Sequence, residues 1–243
     1  MKTPVPLKRF IQRWLWPLMP GWPDEGRRIV QGPHLRALLA RVSSGNGRRL
    51  RCVFNAGAGE GGYSPLLLGL PGVESVVESD FGWNIHNPRR IDPKQVFLCS
   101  TLASIPLKDR AFDLVLCTEV LEHIEEHERA LDEMARVISS GGWLLITVPT
   151  PPAVHDPAHV REGYRPNELT AMLTRRGFQI VDSRFCMYFW FRFVLVLTKR
   201  LPARCTPRIL IRGLAGLDKL LPLGKPMDLM ILARRTNSCE SYS

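Results

Sequence analysis

The chain has 243 residues, of which 45% are hydrophobic and 23% charged, a composition that fits a folded globular protein and excludes collagen-like and wholly disordered classes. The six cysteines are widely spaced without a C-x-x-C pair, which favours buried thiols in a reducing compartment over a disulfide framework or a zinc site. The net charge of +10 is unevenly divided, because residues 1–50 hold ten basic and two acidic residues, 51–183 hold twelve and eighteen, and 184–235 hold eleven and two.

In chain order, short apolar runs alternate with helix-like stretches. Strands are predicted at 50–55, 73–79, 95–100, 113–118, 143–148, 179–185 and 228–233. Helices are predicted from the glycine-rich turn after the first strand to residue 70, at about 126–138 and at 166–176. This alternation predicts an α/β fold with a mostly parallel sheet covered on both faces.

The two basic ends do not follow the alternation. Residues 1–45 are predicted to form a basic, aromatic extension with a first helix, and residues 46–243 the main domain. That domain is predicted to contain an apolar and basic insertion at about 187–226, before the last strand. The ends predict either a cap over the substrate pocket or an amphipathic surface for an anionic membrane, and nucleic acid is the less favoured partner.

The N-terminal apolar residues predict neither a signal peptide nor a membrane span. Gln12, Arg13, Pro17 and Pro20 interrupt the apolar stretch, and no small-residue cleavage site follows. The longest apolar run, at 186–198, is shorter than the ~20 residues that a spanning helix needs. The expected location is therefore cytoplasmic, with peripheral membrane contact as an option.

A glycine-rich turn follows the first predicted strand and opens a helix-like stretch. Gly57, Gly59 and Gly62 satisfy G-x-G-x-x-G, a spacing at which a nucleoside ligand can approach the backbone closely. Asp80 ends the next strand about 20 residues later, where a carboxylate can accept both ribose hydroxyls. The spacing alone does not separate a dinucleotide site from another nucleoside site.

Further motifs recur in order after Asp80, namely FDLV and EVLEH within residues 112–123, GGWLLITVP at 141–149, and HVREGY at 159–164. With the glycine-rich turn they resemble the class I S-adenosylmethionine-dependent methyltransferases over roughly residues 50–185. The resemblance implies a Rossmann-like, doubly wound sheet with strand order 3-2-1-4-5-7-6, and S-adenosylmethionine as the cofactor.

The resemblance also implies a set of cofactor-binding residues, which runs along the ends of the first four strands. These are Asn55, Gly57, Gly59, Asp80, Phe81, Thr101, Leu102, Cys117 and Thr118. Asp80 would hold the ribose, Phe81 would lie against the adenine, and Cys117 with Thr118 would face the methionine end. Asn55 and Thr101 stand where the family often has acids, which weakens two contacts.

Methyl transfer from a sulfonium needs alignment and exclusion of water, and a base only where the nucleophile carries a proton. Candidate bases near the ends of the fourth and fifth strands are His123, His155, His159 and Tyr164, with His123 and His159 taken as the catalytic candidates.

No metal ion is expected, although one alternative is open. Glu119, Glu122 and His123 form E-x-x-E-H, and on a helix these three side chains would share one face. The string resembles the metal-binding motif of certain quinone-pathway catechol O-methyltransferases and of small-RNA 2′-O-methyltransferases. His155 or His159 would supply a further ligand in that alternative.

The expected function is S-adenosylmethionine-dependent methyl transfer to a hydroxyl of a small-molecule acceptor, lipid-linked or aromatic. The alternatives are an RNA 2′-O-methyltransferase, a quinone-ring methyltransferase, and a non-catalytic nucleoside-binding member of the fold.

Overall fold

The computed structural model describes residues 23–44, 49–81, 92–154, 156–200 and 206–236. The chain divides into two compact units. The helical unit comprises the described residues of 23–33 and 186–226, and the sheet unit those of 34–185 and 227–236.

The sheet unit is built on one seven-stranded sheet. Its strands are β1 (Cys52–Ala56), β2 (Ser75–Asp80), β3 (Gln95–Cys99), β4 (Phe112–Thr118), β5 (Ile138–Pro149), β6 (Phe178–Cys186) and β7 (Asp228–Arg235). Their order is β3-β2-β1-β4-β5-β7-β6, with β1 to β5 paired in parallel and β7 antiparallel to β5. The predicted fold and strand order are confirmed.

The helices lie between and beyond these strands. They are α1 (Pro23–Ser44), α2 (Ser64–Leu68), α3 (His127–Val137), α4 (Pro166–Thr174), α5 (Phe189–Arg200) and α6 (Arg208–Leu220), with a 3₁₀ turn at Leu121–His123. α1 begins in the helical unit and ends in the sheet unit, whereas α5 and α6 belong to the helical unit. No helix among the described residues is long and apolar enough to cross a membrane.

Burial explains why the central strands have continuous apolar runs. β1 and β4 lie in the middle of the sheet and nearly all their residues are buried, whereas Val96 on the edge strand β3 is exposed. α3 buries Ala130, Leu131, Met134 and Val137, the i, i+4, i+7 stripe of an amphipathic helix.

Two elements differ from the sequence prediction for local reasons. α2 has five residues instead of running on from the glycines, because Gly59 and Gly61 adopt positive φ angles that no α-helix contains. β5 starts at Ile138, five residues early, since Phe112 pairs with Ile138 before a register shift brings Leu114 opposite Trp143.

Candidate cofactor and catalytic site

The glycine-rich loop is held between the end of β2 and the segment that follows β4. The amides of Gly57 and Ala58 both donate to the carbonyl of Ser79, each over 2.8 Å. Gly57 has a φ of +73°, and a Cβ on it would lie 2.3 Å from a methyl carbon of Val120. Only glycine therefore fits this position, both for its backbone conformation and for the approach of Val120.

Asp80 closes the other side of the loop. Its Oδ2 accepts a hydrogen bond from the Gly59 amide over 2.5 Å, and its Oδ1 accepts one from the Phe81 amide over 2.7 Å. A carboxylate offers about four acceptor positions, so two such bonds leave capacity for hydroxyl donors. A Cβ on Gly59 would have no neighbour nearer than 3.9 Å, so a ligand can approach this part of the backbone. The free acceptor positions of Asp80 and the open space beside Gly59 fit a cofactor with a ribose.

The residues predicted for the adenine end have different exposures. The Phe81 side chain is 80% exposed, as a ring that is to cover an adenine face requires. Thr101 is exposed, and its hydroxyl accepts a hydrogen bond from the Ala103 amide over 3.3 Å. Leu102 is buried in the core, so its predicted contact rests on its main chain. The chain between Phe81 and Asp92 lies outside the described residues.

The residues predicted for the methionine end are mostly buried. Asn55 is almost fully buried at the end of β1, and Thr118 is partly buried at the end of β4. The Cys117 side chain lies in the hydrophobic core, where burial raises the pKa of its thiol well above the ordinary value. The thiol is therefore neutral, and the predicted contact of Cys117 with the cofactor rests on its main chain.

Glu119 begins the EVLEH segment in a strained conformation, with a φ of +54°. Its amide donates to the carbonyl of Thr147 over 3.0 Å, and its Oε1 accepts a hydrogen bond from the Thr147 hydroxyl over 2.8 Å. Both contacts tie the segment to β5. The Glu119 side chain is thus engaged at the end of β5.

Glu122, His123 and His159 come together at the same edge of the sheet. One possible ligand atom from each lies within 4.8 Å of the others. Glu122 is buried, its Oε1 lies 3.9 Å from His123 Nε2, and the two imidazole rings meet edge to face with centroids 4.6 Å apart. Among the described residues this is the set that could hold a cation, and it contains His159 in place of the Glu119 of the sequence-based alternative.

The tautomer of His123 follows from its other contact. Its Nδ1 lies 2.9 Å from the carbonyl oxygen of Ala158, which can only accept a hydrogen bond. A neutral His123 ring therefore carries its hydrogen on Nδ1. The other ring nitrogen, Nε2, lies on the side of Glu122.

Tyr164 has a structural role, because its hydroxyl donates to the Leu121 carbonyl over 3.3 Å and its amide to the Pro149 carbonyl over 2.8 Å. Burial raises the pKa of the Tyr164 phenol well above its ordinary value, so it does not act as a base near neutral pH. His155, the remaining candidate base, lies outside the described residues.

Several contributing residues were missed by sequence reasoning. The carbonyl of Ser79 and the side chain of Val120 shape the glycine loop, and His127 accepts a hydrogen bond from Arg161 over 2.6 Å. The only sequence signals for Ser79 and Val120 are their positions. Ser79 comes just before Asp80, and Val120 lies inside EVLEH. Nothing in the local sequence pairs His127 with Arg161, which is 34 residues away.

Part of the chain is similar in sequence to known methyltransferases. A family model described as "Methyltransferase domain" matches residues 54–146. A Mycobacterium tuberculosis (strain H37Rv) protein named "Probable S-adenosylmethionine-dependent methyltransferase Rv3030" is 31% identical over 146 residues, which are 57% of this chain and 52% of that protein. The chain therefore spans about half the length of this curated relative.

Two solved structures show the same fold at low identity. A SAM-dependent methyltransferase from Archaeoglobus fulgidus has a TM-score of 0.60 at 18% identity, with 95% of this chain and 100% of that chain covered. The [4+2]-cyclase SpnF has a TM-score of 0.59 at 19% identity, with 84% of this chain and 81% of that chain covered. Structural likeness at this level shows the fold and leaves the reaction to the residues of the site.

Proposed function

Because the chain carries a class I S-adenosylmethionine-dependent methyltransferase domain, we propose that the protein methylates a hydroxyl of a small-molecule acceptor. The observation that carries the proposal is His123, whose Nε2 holds a lone pair beside the buried carboxylate of Glu122. A hydroxyl differs from a neutral amine or a thiolate in needing such a base at neutral pH.

The cofactor would be held by the glycine loop and by Asp80. Bound S-adenosylmethionine supplies a methyl group on a sulfonium, an electrophile that needs no further activation. Gly57 and Gly59 keep the loop backbone accessible, Asp80 accepts from the ribose hydroxyls, and Phe81 covers the adenine. The main chains of Leu102 and Cys117, with Asn55, Thr101 and Thr118, complete the predicted set in this proposal.

In the proposed reaction, the acceptor hydroxyl passes its proton to His123 Nε2. The His123 ring is held in position by its Nδ1–H bond to Ala158, and Glu122 stabilises the imidazolium that results. His159 packs edge to face against the same ring and limits its rotation. We assign His159 as the second candidate base, since both rings lie at the carboxyl ends of parallel strands.

The experiment uses cofactor with a labelled methyl group and fractions of small molecules, both lipid-linked and aromatic. Product analysis by mass spectrometry identifies the atom that is methylated, and RNA serves as a competing acceptor. An O-methyl ether on a small molecule is expected. A methyl group on nitrogen or carbon, or label in RNA alone, would overturn the proposal.

His123→Gln tests the base. This change is expected to lower kcat by about 10²- to 10⁴-fold with little change in cofactor affinity, because general bases typically contribute that much. A kcat within about twofold of the wild-type value would overturn the assignment of His123 as the base.

A further inference from the structure

The C-terminal segment of the helical unit, residues 186–226, is strongly basic. Residues 186–226 contain eight lysines and arginines and one acid, Asp218. Asp218 is 1% exposed, and its carboxylate accepts hydrogen bonds from the amides of Tyr188 and Phe191, each over 2.9 Å. These amides belong to the start of α5, where main-chain donors lack partners within the helix. The one acid therefore acts as a helix cap and does not offset the surface cations.

The same unit concentrates exposed apolar side chains. Of the eleven large apolar side chains that are exposed among the described residues, seven lie between 189 and 223, so the exposure is not spread evenly over the protein. Five of them, with exposed fractions from 45% to 76%, form what we call the apolar patch: Phe189, Phe193, Leu220, Leu221 and Leu223.

The members of the apolar patch are connected. The rings of Phe189 and Phe193, one helical turn apart, have centroids 5.1 Å apart. The Phe189 amide donates to the Leu223 carbonyl over 3.0 Å, and the Leu223 amide donates to the Leu221 carbonyl over 2.9 Å. The patch thus joins the start of α5 to the end of α6.

Three exposed cations border the apolar patch. Arg192 lies between the two phenylalanines in the chain, Lys219 precedes Leu220, and Lys225 follows Leu223 by two residues. By contrast, Arg208 and Arg212 lie 2.6 Å and 3.1 Å from the carboxylate of Glu25. Among the side chains of 186–226 that the structure describes, the cations best placed to meet an external anion are therefore Arg192, Lys219 and Lys225.

We propose that the apolar patch and these three cations dock on the headgroup region of an anionic lipid bilayer. Aromatic and aliphatic side chains gain free energy in that zone, and each nearby cation is attracted to anionic lipids. A second copy would bring cations against cations, and residues 1–22 have four basic residues and no acid. Nucleic acid would satisfy the cations but would leave the exposed leucines in water. The proposal concerns the helical unit alone and does not rest on the proposed function.

Co-sedimentation with phosphatidylcholine vesicles, with and without phosphatidylglycerol, tests the proposal. The full chain should bind the anionic vesicles at low salt, bind them less at high salt, and bind neutral vesicles weakly. Lys219→Glu with Lys225→Glu should weaken binding by about fivefold or more for each lysine, the factor that ~1 kcal/mol per cation represents. Arg49→Glu with Lys108→Glu, two exposed positions of the sheet unit, changes the net charge equally and should leave binding unchanged.

A charge-neutral pair of variants tests the apolar patch. Phe193→Gln with Leu221→Gln should release the protein from anionic vesicles, whereas Val96→Gln, at an exposed position on β3, should not. All substitutions are at exposed sites, and unchanged circular dichroism checks that each variant folds.

Three results would overturn the proposal. The first is equal recovery on neutral and anionic vesicles. The second is that the double variant Phe193→Gln with Leu221→Gln binds vesicles as strongly as the wild type. Together with binding to single-stranded RNA, that result would identify a nucleic acid as the partner. The third is a dimer in lipid-free ultracentrifugation that the same double variant dissociates, which would identify a second copy as the occupant.

Discussion

The carboxylate of Asp80 accepts a hydrogen bond from the amide of Gly59, so the residue predicted to hold the ribose also holds the glycine loop. The loop is fixed at its start by the Ser79 carbonyl, one residue before Asp80. The end of β2 therefore sets the conformation of the whole loop, and removal of Asp80 affects the cofactor site in two ways.

For this reason Asp80→Ala should weaken the binding of S-adenosylhomocysteine by at least the 1–3 kcal/mol that loss of a buried hydrogen-bond partner typically costs. Asp80→Asn should also weaken it, because an amide nitrogen cannot accept from a main-chain N–H. Asp109→Asn, on the surface of the sheet unit, is the matched control. Calorimetry with unchanged affinity in Asp80→Ala would show that the cofactor lies elsewhere.

Gly57→Ala should destabilise the protein and abolish cofactor binding. The new Cβ would lie 2.3 Å from a methyl of Val120, and the φ of +73° costs a non-glycine residue about 1 kcal/mol or more. Val120→Ala in the same chain removes that methyl but leaves Val120 Cβ at 3.1 Å, so it should restore part of the stability only. Denaturant titrations of the two single variants and the double variant measure the coupling, and additive effects would contradict the contact.

Chelation is expected to leave cofactor binding and turnover intact, since the proposed reaction uses His123 Nε2 as a base and routes no step through a cation. The Glu119 carboxylate is engaged by the Thr147 hydroxyl and does not join the Glu122, His123 and His159 cluster. Turnover after treatment with a chelator and after addition of Mg²⁺, Mn²⁺ or Zn²⁺ is the measurement. Loss of activity with metal-dependent recovery would contradict the expectation. If added metal then restores turnover in Glu119→Gln but not in His159→Gln, the ion is assigned to Glu122, His123 and His159.

Acidification should destabilise the protein through His127. Burial lowers the pKa of this imidazole, and the positive charge of Arg161 lowers it further. The unfolded chain therefore binds more protons than the folded one between the lowered pKa and the ordinary value of about 6.5, so the free energy of unfolding falls as the pH falls through that window.

Denaturant midpoints between about pH 7.5 and 5 measure this effect, in a range above the ordinary carboxylate pKa values of about 4. The midpoint of the wild type should fall relative to that of His127→Gln, which does not titrate. If the midpoints of the two proteins change in parallel with pH, His127 titrates alike in the folded and unfolded chains.

Much of the sheet unit could be predicted from the sequence, because the signals there are local. Each strand is an apolar run, and Gly57 and Gly59 mark a turn with positive φ angles, which glycine adopts at the lowest cost. The resemblance carried by the motif order then implied the strand order, and the structure adds that β7 is antiparallel to β5. The start of β5 was missed because Ile138–Gly142 has no continuous apolar run, and its pairing depends on a register shift in β4.

The composition of the cluster of Glu122, His123 and His159 could not be predicted from spacing. Helical periodicity placed Glu119 beside Glu122 and His123, but a positive φ at Glu119 and its bond to Thr147 direct it to β5. His159 enters the cluster from a segment 36 residues away in the chain. Such contacts depend on how the loops after β4 and β5 pack, which local sequence does not encode.

By itself, the sequence determined the sheet, the glycine loop and the excess of positive charge at the ends, since these depend on residue type and spacing along the chain. Only the tertiary structure decided which charges are available to a partner. Asp218 is buried and caps α5, and Arg208 lies 2.6 Å from Glu25, which is 183 residues away in the chain. Lys219 and Lys225, by contrast, are exposed. The physical reason is that pairing and burial decide whether a charge faces water, and both are set by contacts between distant parts of the chain.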